Sequence, residues 1–541
     1  MKTLLIRPPY MVERYEPPLG ICYLAGYLKA HGKEVEILDG EVDLTVEDII
    51  REMRQRKPDI VGISMLTYDR FAGYRIAKAA KEAGAFVVVG NVHPTFTDRE
   101  TLQEHPYIDA VVRHEGEATL LELVQRLEAG KPVDDVQGLT FRNSGGEIIQ
   151  NPERELLPDV DKLPYPAYDL VPMKKYRYHA VFASRGCPYK CIFCSSPNFW
   201  LRKVRYRTPV QVVNEIELLL TKYGKKDVHF KDDVFTMKKQ WVTEILNEMQ
   251  RRNIRTRWEC MGRVNNVDPE FLHFIRKMGC AQIEYGVESG DPELMEAIEK
   301  SISPEKALKA LAASHEAGIH VGTFFMIGHP GETLQSAERT FDFALQLRPY
   351  TWTFSPADIL PGTKMEAIAR ERGLMDGFSW SEPGLNTSGE PMRRFTNPEV
   401  PEGKMVELAH RFHARMIFCR LFDIRRRSDW WVLFRGPMTP YYITPRSRKE
   451  LGWMWEDFLY SIRKSPSIGR KALGFVVLVP FTARFLGNSF KRLAIRTLEH
   501  LPGGRRTKVN PKLLSGATDH GSVMYMGKRD LEVIAGPPPQ N

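Results

Sequence analysis

Ser184-Arg185-Gly186-Cys187-Pro188-Tyr189-Lys190-Cys191-Ile192-Phe193-Cys194 sets three cysteines at Cys-x3-Cys-x2-Cys spacing, with an aromatic residue directly before the last. Thiolates are the usual protein ligands of iron–sulfur clusters, and three of them can hold three irons of a four-iron cubane. The fourth iron then lacks a protein ligand and is open to a small molecule, which makes it the expected catalytic centre. A structural zinc would want a fourth ligand, as a rule from a second Cys or His pair at matching spacing. Cys22, Cys260, Cys280 and Cys419 are isolated from one another and form no such pair, while His179 upstream could complete a site. Seven cysteines in 541 residues are too sparse, and odd in number, for a disulfide framework. The N-terminus, Met1-Lys2-Thr3-Leu4-Leu5-Ile6, runs into a Pro-Pro turn without a signal-peptide pattern.

Outward from the cysteines, strands alternate with helices. An apolar strand over 180–184 feeds the loop, and Thr208-Pro209 opens a helix that runs to about residue 223. Further strands are expected over 228–231, 256–261, 282–287, 320–327 and 351–358. Each ends in a polar or glycine-containing turn: Asp232-Asp233, Gly262-Arg263, Glu288-Ser289-Gly290, Gly328-His329-Pro330-Gly331-Glu332 and Leu360-Pro361-Gly362-Thr363. Six such units in a row imply a partial (β/α)6 barrel, a fold that places its chemistry at the carboxyl ends of the strands.

Before the cysteines, short apolar runs over 2–6, 35–38, 60–64, 86–89 and 110–112 alternate with helical patterns such as 19–31. That alternation predicts a doubly wound, Rossmann-like parallel sheet covered on both faces. Such sheets bind ligands at the carboxyl ends of their strands. The loops there begin at Pro8-Pro9-Tyr10, Ser64-Met65-Leu66-Thr67, Gly90-Asn91-Val92-His93-Pro94-Thr95 and His114-Glu115-Gly116-Glu117. No Gly-x-Gly-x-x-Gly follows the first strand, which argues against a dinucleotide.

The cysteine run is the signature of the radical S-adenosylmethionine (radical SAM) enzymes, and the chain after it resembles that superfamily over some 200 residues. The resemblance implies a [4Fe-4S] cluster on Cys187, Cys191 and Cys194, whose open iron chelates S-adenosylmethionine. Reductive cleavage of that cofactor gives a 5′-deoxyadenosyl radical. It further implies S-adenosylmethionine contacts from Phe193, whose backbone meets the adenine, from Arg263 to the carboxylate, and from Glu288 and Ser289 to the amino group and ribose. Gly328 and Ile327 would lie against the adenine, and Asp232 and Asp233 would line the cofactor or substrate pocket. The N-terminal loops resemble the cobalamin-binding domain that precedes many radical SAM barrels. Pro17-Pro18-Leu19-Gly20 and Glu115-Gly116-Glu117 match it well, whereas Asn91 and His114 stand where it carries glycines. This resemblance implies cobalamin contacts from Pro9, Tyr10, Ser64, Met65, Gly90, His93, Pro94, Glu115, Gly116 and Glu117. The Asp-x-His-x-x-Gly motif is absent from residues 1–150, so no histidine of this domain is expected to coordinate cobalt from below.

Hydrophobic residues at 43% and charged residues at 27% are ordinary for a globular protein, and a net charge of +9 without a Lys/Arg block in the catalytic half argues against nucleic acid. No apolar run reaches the length of a bilayer span. Beyond about residue 397 aromatics and cations interleave, as in Arg425-Arg426-Arg427-Ser428-Asp429-Trp430-Trp431 and Trp453-Met454-Trp455, and an apolar run covers 472–479. A helical cap over the barrel and a peripheral, interfacial membrane contact compete as readings of this region. The expected organisation is a cobalamin-binding domain over 1–135, a linker over 136–176, the radical SAM barrel over 177–396, a mainly helical C-terminal cap or membrane-contact region over 397–500, and a mobile tail over 501–541. The family implies a cytoplasmic enzyme, membrane-associated if the second reading of the C-terminal region holds, that takes electrons from a flavodoxin- or ferredoxin-type donor. The leading expectation is methylation of a carbon in a large apolar small molecule, a lipid or tetrapyrrole. Oxidative cyclisation or hydroxylation with the same cofactors is the alternative, and a non-catalytic iron–sulfur sensor is the alternative of another class. A methylthiotransferase is disfavoured, because those proteins carry three further cysteines in a domain that here holds only Cys22.

Overall fold

Buried aliphatic runs become the strands of the N-terminal sheet in the computed structural model, which describes residues 1–9, 16–42, 44–224, 227–381 and 402–422. β1 (Lys2–Arg7), β2 (Glu34–Asp39), β3 (Ile60–Ser64), β4 (Phe86–Gly90) and β5 (Ala110–Val112) pair in parallel in the order β2-β1-β3-β4-β5. Leu4, Ile6, Val61 and Val87 are fully buried because both faces of the sheet are covered, as parallel sheets require. The helices Leu19–Ala30 and Glu117–Glu128 pack together, as do Val46–Arg56 and Arg70–Glu82. Strand order reverses between β1 and β3, which opens the ligand-binding crevice of this topology at the carboxyl edge.

Two antiparallel strands, β6 (Leu139–Arg142) and β7 (Ile148–Gln150), extend the same sheet from β5. The start of the segment expected as a linker over 136–176 is therefore sheet. Strands this short, joined by Asn143-Ser144-Gly145-Gly146, carry too few alternating residues to stand out from a polar loop.

The second sheet holds the cysteines. β8 (His179–Val181) leads into β9 (Ser184–Arg185), which pairs antiparallel with β10 (Arg205–Tyr206) as a two-residue ribbon. β11 (Asp227–Phe230), β12 (Arg257–Gly262), β13 (Cys280–Glu288), β14 (His320–Ile327) and β15 (Thr351–Pro356) follow. With β8 they form a six-stranded parallel sheet in the order β15-β14-β13-β12-β11-β8, with β15 and β8 as its two edges. Three of its helices start alike: Asp268, Asp291 and Ser303 accept from the backbone N–H of Phe271, Leu294 and Lys306, each with proline at the first helical position. The expected α/β architecture, a Rossmann-like sheet followed by a partial barrel, is the one observed.

Residues 1–406, with both sheets, form one compact unit, and the described residues 407–422 belong to a second. The helix Glu402–Phe422 is the described part of the C-terminal region. The aromatic and basic stretches beyond it, on which the cap and membrane readings rest, and the 501–541 tail lie outside the described residues. Among the described residues no helix is long and apolar enough to cross a membrane.

Candidate active site

The cysteine loop is held at both ends. Asp232, just beyond β11, accepts from the backbone N–H of Ala183 (3.1 Å) and from the Ser184 hydroxyl. Gly186 has φ +107°, and a Cβ there would collide with the Lys203 carbonyl, so glycine is required one residue before Cys187. Downstream, Ile192 donates to the Ile298 carbonyl (3.2 Å), accepts from Met365 N–H (2.9 Å), and sits in a core cluster with Ile298, Ile359 and Trp380. Cys187 is buried and Cys191 and Cys194 are partly exposed; none of the three is in a disulfide. Burial pushes the Cys187 and Cys194 thiols up to about 11 and about 12. Among the described residues no three His, Cys, Asp or Glu converge on a single ion. The thiols on this loop suit a cubane instead, because each binds a separate iron and need not meet at one point.

Around this loop stand groups suited to a zwitterionic cofactor. Arg263, at the exit of β12, is buried with Nη1 4.0 Å from Cys191 Sγ and its guanidinium 3.7 Å from the Tyr189 ring centroid. Its Nε and Nη2 have no hydrogen-bond partner, which leaves a buried cation facing the cluster loop with two donors free for a carboxylate. Glu288 ends β13 in the left-handed region (φ +69°) beside a register shift, and its carboxylate accepts from Lys300 Nζ (2.8 Å). Non-glycine residues held in such backbone conformations cluster at functional sites. Phe193 lies 5.6 Å from Lys300 Nζ and 5.4 Å from the His329 ring, and Ile327 is fully buried at the end of β14. Gly328 has φ +104°, and the space where its Cβ would stand is filled by the Met405 thioether.

Two expected residues are used inside the protein instead. The Ser289 hydroxyl is bonded to Thr340 Oγ1 (3.0 Å) and accepts from Asp291 N–H (3.0 Å), so it shapes the turn after β13. Asp232, described above, anchors the strand that feeds the cysteines and does not line the large cavity, and burial pushes its carboxyl up to about 7. Asp233, its neighbour, does line that cavity, accepting from Ser196 Oγ (2.7 Å), and burial raises its carboxyl above the ordinary range. His329 was not among the expected residues. It is fully buried with both ring nitrogens unpartnered, and burial, with Lys300 nearby, pushes it down to about 3. Only its place between Gly328 and Pro330 could have drawn attention to it.

A cavity of about 780 Å³ opens along the carboxyl edge of β1, β3, β4 and β5 and reaches Ser184, Arg185 and Gly186, directly before Cys187. Its walls are largely apolar, from Leu5, Leu19, Ile63, Val89, Phe182 and Trp200 among others. A large, mostly apolar pocket at the strand switch point fits a bulky organic cofactor. Of the residues expected to contact cobalamin, Ser64, Gly90, Glu115, Gly116 and Glu117 line it. Pro9, Met65, His93 and Pro94 do not, and Tyr10 lies outside the described residues. His93 is buried, with one ring nitrogen 3.3 Å from the Tyr74 hydroxyl, the other 3.3 Å from Thr67 Oγ1, and its edge against Trp380. It packs the domain rather than facing the cavity. Met65 is buried beneath Gly73. Leu66, Asn91 and His114, which belong to the expected loops but not to the expected contacts, also line the cavity, as does Asp69. Both nitrogens of His114 are engaged, Nδ1 with the Phe199 carbonyl (2.8 Å) and Nε2 with Glu153 (3.2 Å).

The B12 binding domain family matches residues 11–124, and the Radical SAM superfamily matches residues 181–344. The chain is 34% identical to an uncharacterized methyltransferase of Pyrococcus horikoshii, over 74% of this chain and 90% of that protein. It is 31% identical to the anaerobic magnesium-protoporphyrin IX monomethyl ester cyclase of Rubrivivax gelatinosus, over 69% and 72%. Among solved structures it is similar in fold to OxsB with aqua-cobalamin and S-adenosylmethionine bound (TM-score 0.66, 17% identity, 92% of this chain and 80% of that one). It is likewise similar to TsrM from Kitasatospora setae with cobalamin and [4Fe-4S] cluster bound (TM-score 0.61, 18% identity, 86% and 100%). With a cysteine loop suited to a cubane beside a sheet-edge cavity suited to a corrinoid, and with relatives this similar over most of their length, the chain belongs to the cobalamin-binding radical SAM enzymes, which work with a [4Fe-4S] cluster, S-adenosylmethionine and cobalamin.

Proposed function

We propose that this enzyme methylates a carbon of a large apolar small molecule, with Cys187, Cys191 and Cys194 holding the cluster and the sheet-edge cavity holding cobalamin. The observation that supports the reading is the continuity of that cavity with Ser184-Arg185-Gly186, next to the cysteines that would hold the cluster. When bound, the cofactors supply reductive cleavage of S-adenosylmethionine and carriage of a methyl group; the protein positions and shields them. Arg263 offers two free donors to the S-adenosylmethionine carboxylate, and Glu288, oriented by Lys300, offers an acceptor to its ammonium group. Buried His329, neutral at physiological pH, stands beside Phe193 at the same end of the barrel. Asp233 lines the cavity together with Ser184, Arg185 and Gly186 of the cysteine strand, and the largely apolar walls suit an apolar group. The methyltransferase relative supports this chemistry, and an electron donor of flavodoxin or ferredoxin type is proposed to reduce the cluster.

A second reading rests on the cyclase relatives, two of which are 31% identical to this chain. In it the same cofactors serve oxidative cyclisation and no methyl group is transferred. Anaerobically reconstituted protein given S-adenosylmethionine deuterated in its methyl group, together with lipid and tetrapyrrole candidates, separates the two. A product carrying the deuterated methyl supports methylation. Turnover that yields deoxyadenosine and an altered product without deuterium removes it and leaves cyclisation.

A further inference from the structure

The acidic turn Glu115-Gly116-Glu117 was expected to meet cobalamin, yet both carboxylates are bound to arginines of the cysteine ribbon. Arg185 Nη1 reaches Glu115 Oε1 at 2.8 Å, and Arg185 Nη2 reaches Glu117 Oε1 at 2.7 Å. Arg205 Nη1 donates to the other Glu115 oxygen at 2.6 Å. All four side chains are buried, none with more than 9% of its surface exposed. Arg185 and Arg205 face each other across the β9–β10 ribbon, a like-charge pairing that repels on its own. Glu115 bridges the two with one oxygen each, and Glu117 balances the remaining charge. Trp200 lies under both guanidinium groups, at 5.9 Å from Arg185 and 5.4 Å from Arg205, and Tyr23 of the first domain lies 4.8 Å from Arg185.

The covalent path from this network to the cluster site is short. Arg185 is followed by Gly186, with its left-handed φ, and then by Cys187, so a shift of the ribbon moves the first ligand of the cluster. The other anchors of the loop described above, Asp232, Ile298 and Met365, belong to the barrel. Glu115 and Glu117 come from the exit of β5 and the start of the following helix, on the edge that lines the cavity.

We infer that Glu115 and Glu117, through Arg185 and Arg205, are positioning residues that fix the cluster-bearing loop relative to the cobalamin cavity. The inference rests on the cofactor set of the proposed function. It assigns the acidic turn to the relation between two cofactor sites rather than to cobalamin binding itself.

The test uses the full chain, anaerobically loaded with iron, sulfide and cobalamin. Electron spin–spin coupling between the reduced cluster and cob(II)alamin reads the distance and orientation of the two sites. The parent protein is expected to give one narrow distribution. Glu117→Gln, which leaves a guanidinium short of its counter-charge, is expected to broaden it, and Glu117→Asp to restore it in part. Arg185→Lys keeps the charge, gives up the two-pronged contact, and is expected to fall between parent and Glu117→Gln. Amide exchange over 184–194 in the cofactor-free protein is expected to rise roughly tenfold in Glu117→Gln, as it does when a buried contact that restrains a segment is removed. A distribution as narrow in Glu117→Gln and Arg185→Lys as in the parent overturns the inference. So does loss of bound cobalamin from a folded Glu117→Gln protein, which would make the carboxylate a cofactor contact. A parent protein that shows a cluster signal but binds no cobalamin sinks the cofactor reading itself, a result distinct from either.

Discussion

Replacing Arg263 by methionine removes a charge while keeping an unbranched side chain, and the structure sets different consequences for stability and for ligand binding. The guanidinium is buried, two of its nitrogens lack partners, and it lies over the Tyr189 ring. An unsatisfied buried polar group costs about 1–3 kcal/mol. A desolvated cation–π contact contributes about 2 kcal/mol in the other direction. The two nearly cancel, so ligand-free Arg263→Met is expected to unfold within about 1 kcal/mol of the parent. With S-adenosylmethionine present the balance changes. Two charge-assisted hydrogen bonds to its carboxylate, each worth at least about 1.5 kcal/mol, give about 3 kcal/mol, or roughly a 150-fold loss of affinity in the variant. Equilibrium dialysis of the reconstituted protein with labelled S-adenosylmethionine measures the second quantity, and denaturant unfolding measures the first. Unchanged affinity would refute the assignment by placing the carboxylate elsewhere. A ligand-free variant several kcal/mol weaker than the parent would refute it by showing that the guanidinium is already satisfied inside the protein.

Gly328→Ala is expected to destabilise the protein by about 2–4 kcal/mol, since it combines a left-handed backbone (φ +104°) with a Cβ in the space of the Met405 thioether; parent-like thermal unfolding would contradict this. Asp232, whose carboxyl burial raises from 3.8 to about 7, holds a proton in the folded protein that the unfolded chain releases, so its contribution to stability is present below about pH 4 and lost as pH rises through 7. Asp232→Asn should flatten that decline in denaturant midpoints measured across the window, and an unaltered slope would count against it. Alanine at Cys187, Cys191 or Cys194 is expected to abolish iron binding on anaerobic reconstitution. Cys22→Ala, inside the helix Leu19–Ala30, is expected to retain it, and a full iron content in any of the first three would remove the cluster assignment.

Local patterns carried the parts of the fold and site that were legible from sequence. Apolar runs ending in polar turns placed the strands, and the cysteine spacing marked a loop that the barrel holds at both ends. Asn91 and His114, which depart from the glycines of related loops, keep the backbone those glycines serve, with φ +86° and +56°. Histidine tolerates positive φ better than most residues, whereas Asn91, with ψ −171°, stands where almost only glycine goes and is held there by its side chain, which accepts from Val92 N–H (2.7 Å) and donates to the Ser64 hydroxyl (2.9 Å). What was not legible is what the acidic and polar side chains do, because their partners are distant in the chain. Glu115 reads as a ligand until Arg185 and Arg205, 70 and 90 residues later, take both its oxygens. Asp232 and Asp233 look equivalent in sequence, but adjacent residues leaving a strand point to opposite sides, one toward the cysteine strand and one into the cavity. His93 illustrates the same error: a loop histidine beside Pro94 suggests binding, yet burial behind Tyr74 makes it part of the packing.

Among the described residues the barrel sheet stops at six strands, with β8 and β15 at its borders. In a closed barrel of eight strands, side chains alone fill the lumen. A wall left incomplete would admit a reactant from the flank. A long molecule need then insert only its reacting segment, with the remainder lying across the gap. In an enzyme built so, the gap would select the width of what enters and leave its overall length almost unmeasured.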